Sequence, residues 1–155
     1  MIKTDVYLNF DGHTEEAFNF YKSVFGGEFT PLMRYSEMTE ENMPGCEALS
    51  DADKNKVMHV SLPIGENNML MGTDSLESMG QKLIMGNNFT ISLSFDKEEE
   101  ATRYFEGLAA GGQVIMPMQK VFWSELFGML VDQYAVQWMI NYNYSSSLPF
   151  MKSST

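Results

Sequence analysis

Few side chains in this 155-residue sequence can do chemistry near neutral pH: it has two histidines, His13 and His59, and one cysteine, Cys46. His59 lies in the alternating run Val57-Met58-His59-Val60. An imidazole has an ordinary pKa of about 6.5, so His59 is the best candidate for proton transfer. The competing reading is a structural histidine bonded to a neighbouring strand. His13 follows Asp11-Gly12 at a helix start and reads as a surface residue. Cys46 has no partner for an internal disulfide and reads as an inert loop thiol, in keeping with a reducing cytoplasm. Asp74, in Gly72-Thr73-Asp74-Ser75, reads as a turn cap or as a carboxylate on a pocket rim. Phe122-Trp123-Ser124-Glu125 sets two aromatics beside a carboxylate, which suits core or dimer packing or a stacking platform for a flat ligand. No phosphate-binding loop, dinucleotide fingerprint, Gly-x-Ser-x-Gly elbow or Cys-x-x-Cys pair occurs, so those reaction classes lack local support.

Composition narrows the partners. The net charge of −11 would repel nucleic acid and anionic membrane surfaces. No apolar stretch approaches the roughly 20 residues needed to cross a bilayer. The start, Met1-Ile2-Lys3-Thr4-Asp5, has no apolar signal core. A cytoplasmic location is expected. Methionine is abundant, at 14 residues, and fills irregular apolar space or lines adaptable pockets.

The elements that must position these groups come in two copies. At an offset of 85 residues, Val6-Tyr7-Leu8-Asn9-Phe10-Asp11 falls on Ile91-Ser92-Leu93-Ser94-Phe95-Asp96. Without a gap, Glu15 then meets Glu100, Phe20 meets Phe105, and Gly26-Gly27 meets Gly111-Gly112. Each copy opens with an alternating strand followed by a helix, over 13–25 and 98–110, with acidic residues in the first turn and glycines at the end. Three more strands are expected over 28–37, 56–64 and 68–73, and over 113–122, 126–132 and 135–142. Asp132-Gln133-Tyr134-Ala135 suits a tight connection. The acidic segment 37–55 reads as a mobile loop. The fold class is α+β: one domain over 1–142, with module one at 3–75, a linker at 76–87, module two at 88–142, and a flexible tail at 143–155.

This pattern resembles the vicinal-oxygen-chelate superfamily (the glyoxalase/bleomycin-resistance/dioxygenase fold), which pairs two βαβββ modules into a curved mixed-sheet cup. It is most similar to the PhnB-like branch, often labelled a demethylubiquinone methyltransferase domain. The resemblance is carried by Tyr7-Leu8-Asn9-Phe10, Ala17 through Gly27, Val57-Met58-His59-Val60, Leu70-Met71-Gly72-Thr73-Asp74 and Phe127 through Asp132 running to Trp138. It implies metal-ligand positions at Asp5, Met71, Thr90 and Met139. One carboxylate, one hydroxyl and two thioethers make a poor set for a divalent cation, so neither metal nor other cofactor is expected. Methyltransfer lacks support, because no nucleotide-type cofactor loop is present.

The resemblance also puts the helices over one sheet face. The apolar sets Val6/Leu8/Phe10, Met58/Val60/Leu62, Ile91/Leu93/Phe95 and Val136/Trp138/Ile140 should lie beneath them. The opposite parity should line the cup: Asp5, Tyr7, Asn9, Val57, His59, Ser61, Met69, Met71, Thr90, Ser92, Ser94, Phe127, Met129, Gln137 and Met139, with Trp123 added. The expected function is metal-free binding of a small, partly aromatic molecule. The alternatives are a metal-independent lyase, isomerase or transferase using His59, with Asp5 as a partner, and a dimeric scaffold without ligand. The resemblance implies a homodimer.

Overall fold

A computed structural model describes residues 1–143, so most of the expected tail lies outside the described residues. The chain forms two compact units that divide between Met85 and Gly86, within the expected linker. In the first, β1 (Val6–Phe10) leads into α1 (Thr14–Phe25), then β2 (Met33–Arg34), the short helix α2 (Asp51–Lys54), β3 (Val57–Ile64) and β4 (Asn68–Asp74). In the second, β5 (Ile91–Phe95) leads into α3 (Glu98–Ala109), β6 (Gln113–Val121), β7 (Ser124–Val131) and β8 (Gln137–Tyr142). Each unit holds a four-stranded mixed sheet, ordered β1-β4-β3-β2 and β5-β8-β7-β6. The first strand of each pairs parallel to the last, and the other pairings are antiparallel. The class is α+β, as the repeat indicated.

Each helix packs its apolar stripe on one face of its own sheet. In the first unit Ala17, Phe18 and Tyr21 of α1 are buried with Val60, Leu62 and Leu70. Gly72 lies under the Phe18 ring, where an added Cβ would stand 2.5 Å from Cε2. In the second unit Ala101, Phe105 and Leu108 of α3 are buried with Leu130, Trp138 and Ile140. Gly128 there lies under Phe105, at 2.6 Å by the same measure. These contacts fix which face of each sheet the helix covers.

The repeat is not gapless. Strand β1 maps onto β5 at an offset of 85, but α1 maps onto α3 at 84. Three residues, Asp11-Gly12-His13, separate strand from helix in the first copy, against Asp96-Lys97 in the second. Gly12 accommodates the extra residue with φ +79°. Ala110, inserted after α3, restores the offset at the paired glycines. Buried Phe105 therefore corresponds to buried Tyr21, whereas Phe20 is only half-buried.

The strand expected over 28–37 is reduced to Met33–Arg34, followed by a 3-10 turn at Tyr35–Glu37. Pro31 has no N–H for a ladder, and the Glu37 carboxylate turns back to accept the Arg34 N–H at 2.6 Å. Tyr35 buries its ring and donates its hydroxyl to the Asp74 carbonyl at 2.7 Å. The acidic segment 37–55 is likewise built rather than featureless. It contains a 3-10 turn at Cys46–Ala48 and then α2, whose cap Ser50 accepts the Asp53 N–H. Glu40 accepts the N–H groups of Gly45 (2.7 Å) and Glu47 (2.9 Å). Buried Cys46 directs its thiol at the Met38 carbonyl. Burial pushes that thiol's pKa up, with the Glu40 and Glu47 carboxylates adding to the rise.

Candidate functional site

Strand register decides which side chains share the face turned away from each helix. In the first unit Leu8 pairs with Gly72 and Val60 with Gly72, so these lie on the α1 side. One step along, Tyr7 pairs with Met71, Asn9 with Thr73 and Ser61 with Met71, so these lie on the other side. His59, two residues from Ser61, joins them and pairs with Met33 of β2. The tyrosine hydroxyl and His59 Nδ1 stand 3.4 Å apart, with ring centroids at 5.8 Å. The register thus gathers Tyr7, Asn9, His59 and Met71 on one face. Asp5 is spent at its edge: its carboxylate accepts the Met69 N–H at 2.9 Å and pairs with Lys3 at 3.4 Å.

Thr73, of the same parity as Tyr7 and Met71, joins a second set of polar contacts. The Thr73 hydroxyl donates to the Met58 carbonyl at 2.7 Å and stands 3.4 Å from the Tyr35 hydroxyl. Partial burial raises the Tyr7 phenol's pKa, while Thr73 acts in the opposite direction. Thr73, Tyr35 and Met33 were not singled out from sequence. The roles of neighbouring Thr73 and Asp74 emerge only once β3 and β4 are paired.

Asp74 is not a pocket-rim carboxylate. It is 2% exposed and ties three elements together. One oxygen accepts the Thr14 N–H (3.1 Å) and hydroxyl (2.7 Å), and the other accepts the Val57 N–H at 2.8 Å. Because His13 makes no side-chain cap, Asp74 caps α1 from a distant strand. It leaves the face to Tyr7 and His59.

In the second unit Ser92 pairs with Met139, Met129 with Met139 and Phe127 with Asn141, placing these five residues' side chains on the face away from α3. Asn141 donates to Ser92 at 3.3 Å. Thr90 lies just before β5, half-buried. Phe127 is buried and meets Trp123 edge-on at 5.3 Å, and Trp123 meets Phe122 edge-on at 4.5 Å. This chain of rings runs from a buried strand position out to Phe122, which is 94% exposed. The opposite side is structural. Buried Asp132 accepts the Tyr134 and Val136 N–H groups and the Trp138 indole N–H, fixing the tight β7–β8 connection.

The four positions implied for a metal do not fit one. Met71 and Met139 are equivalent by register, opposite Tyr7 and Ser92, yet both offer thioethers. Thr90 offers a hydroxyl, and the Asp5 carboxylate is already engaged. One hydroxyl and one engaged carboxylate are too few nitrogen and oxygen donors for a hard or borderline divalent ion. Among the described residues no group of three His, Cys, Asp or Glu side chains is arranged to hold an ion.

With fold and site in view, the comparisons with known proteins agree. Residues 3–141 match the family described as 3-demethylubiquinone-9 3-methyltransferase. Protein YjdN of Escherichia coli K12 is 30% identical over 138 residues, covering 87% of this chain and 91% of that protein. Protein PA1353 of Pseudomonas aeruginosa has a solved structure with 32% identity and a TM-score of 0.79, covering 92% of this chain and 98% of that one. A PhnB protein from Bacillus cereus gives 28% identity and a TM-score of 0.68, with 92% and 100% covered. The fold itself is shared with a glyoxalase/bleomycin resistance protein/dioxygenase family enzyme of Burkholderia phytofirmans, at 17% identity and a TM-score of 0.59, with 89% and 95% covered. The chain belongs to the PhnB-like 3-demethylubiquinone-9 3-methyltransferase family and shares the glyoxalase/bleomycin-resistance/dioxygenase fold. Among the described residues no helix is long and apolar enough to cross a membrane.

Proposed function

We propose that this protein binds a small, partly aromatic organic molecule against the sheet faces turned away from its helices, without a metal. The observation that carries this reading is the make-up of those faces. On the first unit's face the hydrogen-bonding groups Tyr7, Asn9 and His59 stand with the thioether of Met71, and on the second unit's face Ser92 stands with the thioether of Met139 and the ring pair Trp123 and Phe127. Such a surface suits an apolar body with a few polar substituents. The donor chemistry at Asp5, Met71, Thr90 and Met139 supports the metal-free part. A homodimer in the cytoplasm completes the proposal.

Native mass spectrometry of protein purified from its own host tests it. A stoichiometric co-purifying organic mass is expected, released on denaturation. Tight stoichiometric binding of nickel, zinc, manganese or iron in calorimetry would refute the metal-free part.

The Tyr7–His59 contact supports a second reading, a metal-independent lyase, isomerase or transferase in which this pair moves a proton. His59→Gln separates the two. Affinity within about tenfold of the parent, the range of one hydrogen bond, supports binding. Abolished turnover of the co-purified compound would support catalysis.

A further inference from the structure

We propose that Asp11-Gly12, in the turn between β1 and α1, is a modification site at which the folded protein spontaneously converts aspartate to isoaspartate. The conversion needs a carboxyl free to turn onto the next residue's amide nitrogen, and a next residue whose side chain does not obstruct the approach. Of the aspartates in the chain, only Asp11 is followed by glycine. Asp11, Gly12 and His13 are all exposed. Among the described residues the Asp11 carboxylate makes no hydrogen bond or ion pair, and the Gly12 N–H donates to no acceptor. Beyond its chain neighbours, the only atom within 4 Å of a Cβ placed at Gly12 is Lys56 Cε, at 3.9 Å. The equivalent turn of the second copy is an internal contrast, because it reads Asp96-Lys97 and so puts a Cβ after the aspartate. Asp74 precedes the small residue Ser75, but it is buried with both oxygens engaged.

The Gly12 nitrogen attacks Asp11 Cγ of the protonated carboxyl. An N–Cγ bond forms and a Cγ–O bond breaks, and the oxygen leaves as water with the carboxyl proton and the amide proton. Water then opens the cyclic succinimide. Attack at Cγ restores aspartate. Attack at the main-chain carbonyl breaks its bond to the Gly12 nitrogen, leaving a free α-carboxylate and a main chain that runs through Cβ and Cγ. Composition is unchanged, and no oxidant or reductant is required. The turn is anchored on both sides to the end of β4. The Phe10 carbonyl accepts the Ser75 N–H at 2.7 Å, and Asp74 accepts the Thr14 N–H at 3.1 Å. Isoaspartate inserts one carbon into the main chain between these anchors, and so loosens the Asp74 cap on α1.

Peptide mapping with electron-transfer fragmentation, which separates isoaspartate from aspartate, tests this on the full chain aged in its folded state at neutral pH. Isoaspartate should accumulate at Asp11 with time and stay at background at Asp96. Asp11→Glu should remove the signal, because the longer side chain must close a larger and slower ring. The melting temperature of the parent should fall in step with conversion, while that of Asp11→Glu should hold over the same period. Equal accumulation at Asp96 would overturn the proposal. So would isoaspartate that forms in the urea-unfolded chain but not in the folded protein. Conversion at Asp11 with no change in melting temperature would overturn its coupling to the Asp74 cap.

Discussion

The Tyr7 hydroxyl stands 3.4 Å from His59 Nδ1 although 52 residues separate the two in sequence. Partial burial holds the phenol's pKa above its ordinary value of about 10. An acid whose folded pKa is raised contributes stability that is present below the unfolded value and lost as pH rises through the folded one. In an alkaline titration followed by tyrosinate absorbance, one tyrosine should ionise later than free tyrosine does. Tyr7→Phe should remove that late component and leave the rest of the curve in place.

Gly72 and Phe18 set the fit of α1 on its sheet. An alanine Cβ at 72 would stand 2.5 Å from one ring carbon, 3.0 Å from the next and 3.3 Å from the Thr14 methyl. Phe18 is fully buried and has little room to yield. Gly72→Ala should cost about 1–3 kcal/mol, the usual range for an overpacked core. Urea unfolding measures this, and Phe18→Leu in the same chain should recover part of it as a coupling energy.

Removing Asp74 should be costlier than its short side chain suggests. The carboxylate serves Thr14 and Val57, and both its oxygens are engaged in a buried place. Asp74→Ala strands these donors, each worth about 1–3 kcal/mol when left unsatisfied. Loss of 3 kcal/mol or more in unfolding free energy is expected, at unchanged m-value, by about that rule. Asp74→Asn, which keeps one acceptor oxygen, should lose less.

Glu40 gives the acidic segment a pH dependence. The N–H groups of Gly45 and Glu47 hold its carboxyl below the usual carboxylate range. A depressed carboxyl contributes stability above its unfolded pKa and loses it as pH falls through the folded value. The melting temperature of the parent should therefore exceed that of Glu40→Gln near neutrality. The gap should close as the pH falls below the ordinary carboxylate range.

Much of the scaffold was legible in the chain because its signals are local. Alternation over Val6–Phe10 and Ile91–Phe95 marked the first strands, and acidic starts with terminal glycines bounded both helices. The match of Met71 to Met139 followed from aligning last strands, and the register agrees. Offset arithmetic failed where single residues entered at a turn. Nothing local marks the extra residue before α1 or the one after α3, so Phe20 was matched to Phe105 in place of Tyr21.

What the sequence by itself determined is the α+β class, the duplication, and the residue types available on each strand face. These depend on side-chain period and chain punctuation, which are properties of neighbours in sequence. The tertiary structure decided how those residues are used. It turned Asp74 inward as a tie between α1, β3 and β4, engaged Asp5 with Met69, and brought Tyr7 and His59 together. A carboxylate's role depends on which backbone N–H groups lack partners nearby, and that is known only after distant strands have paired.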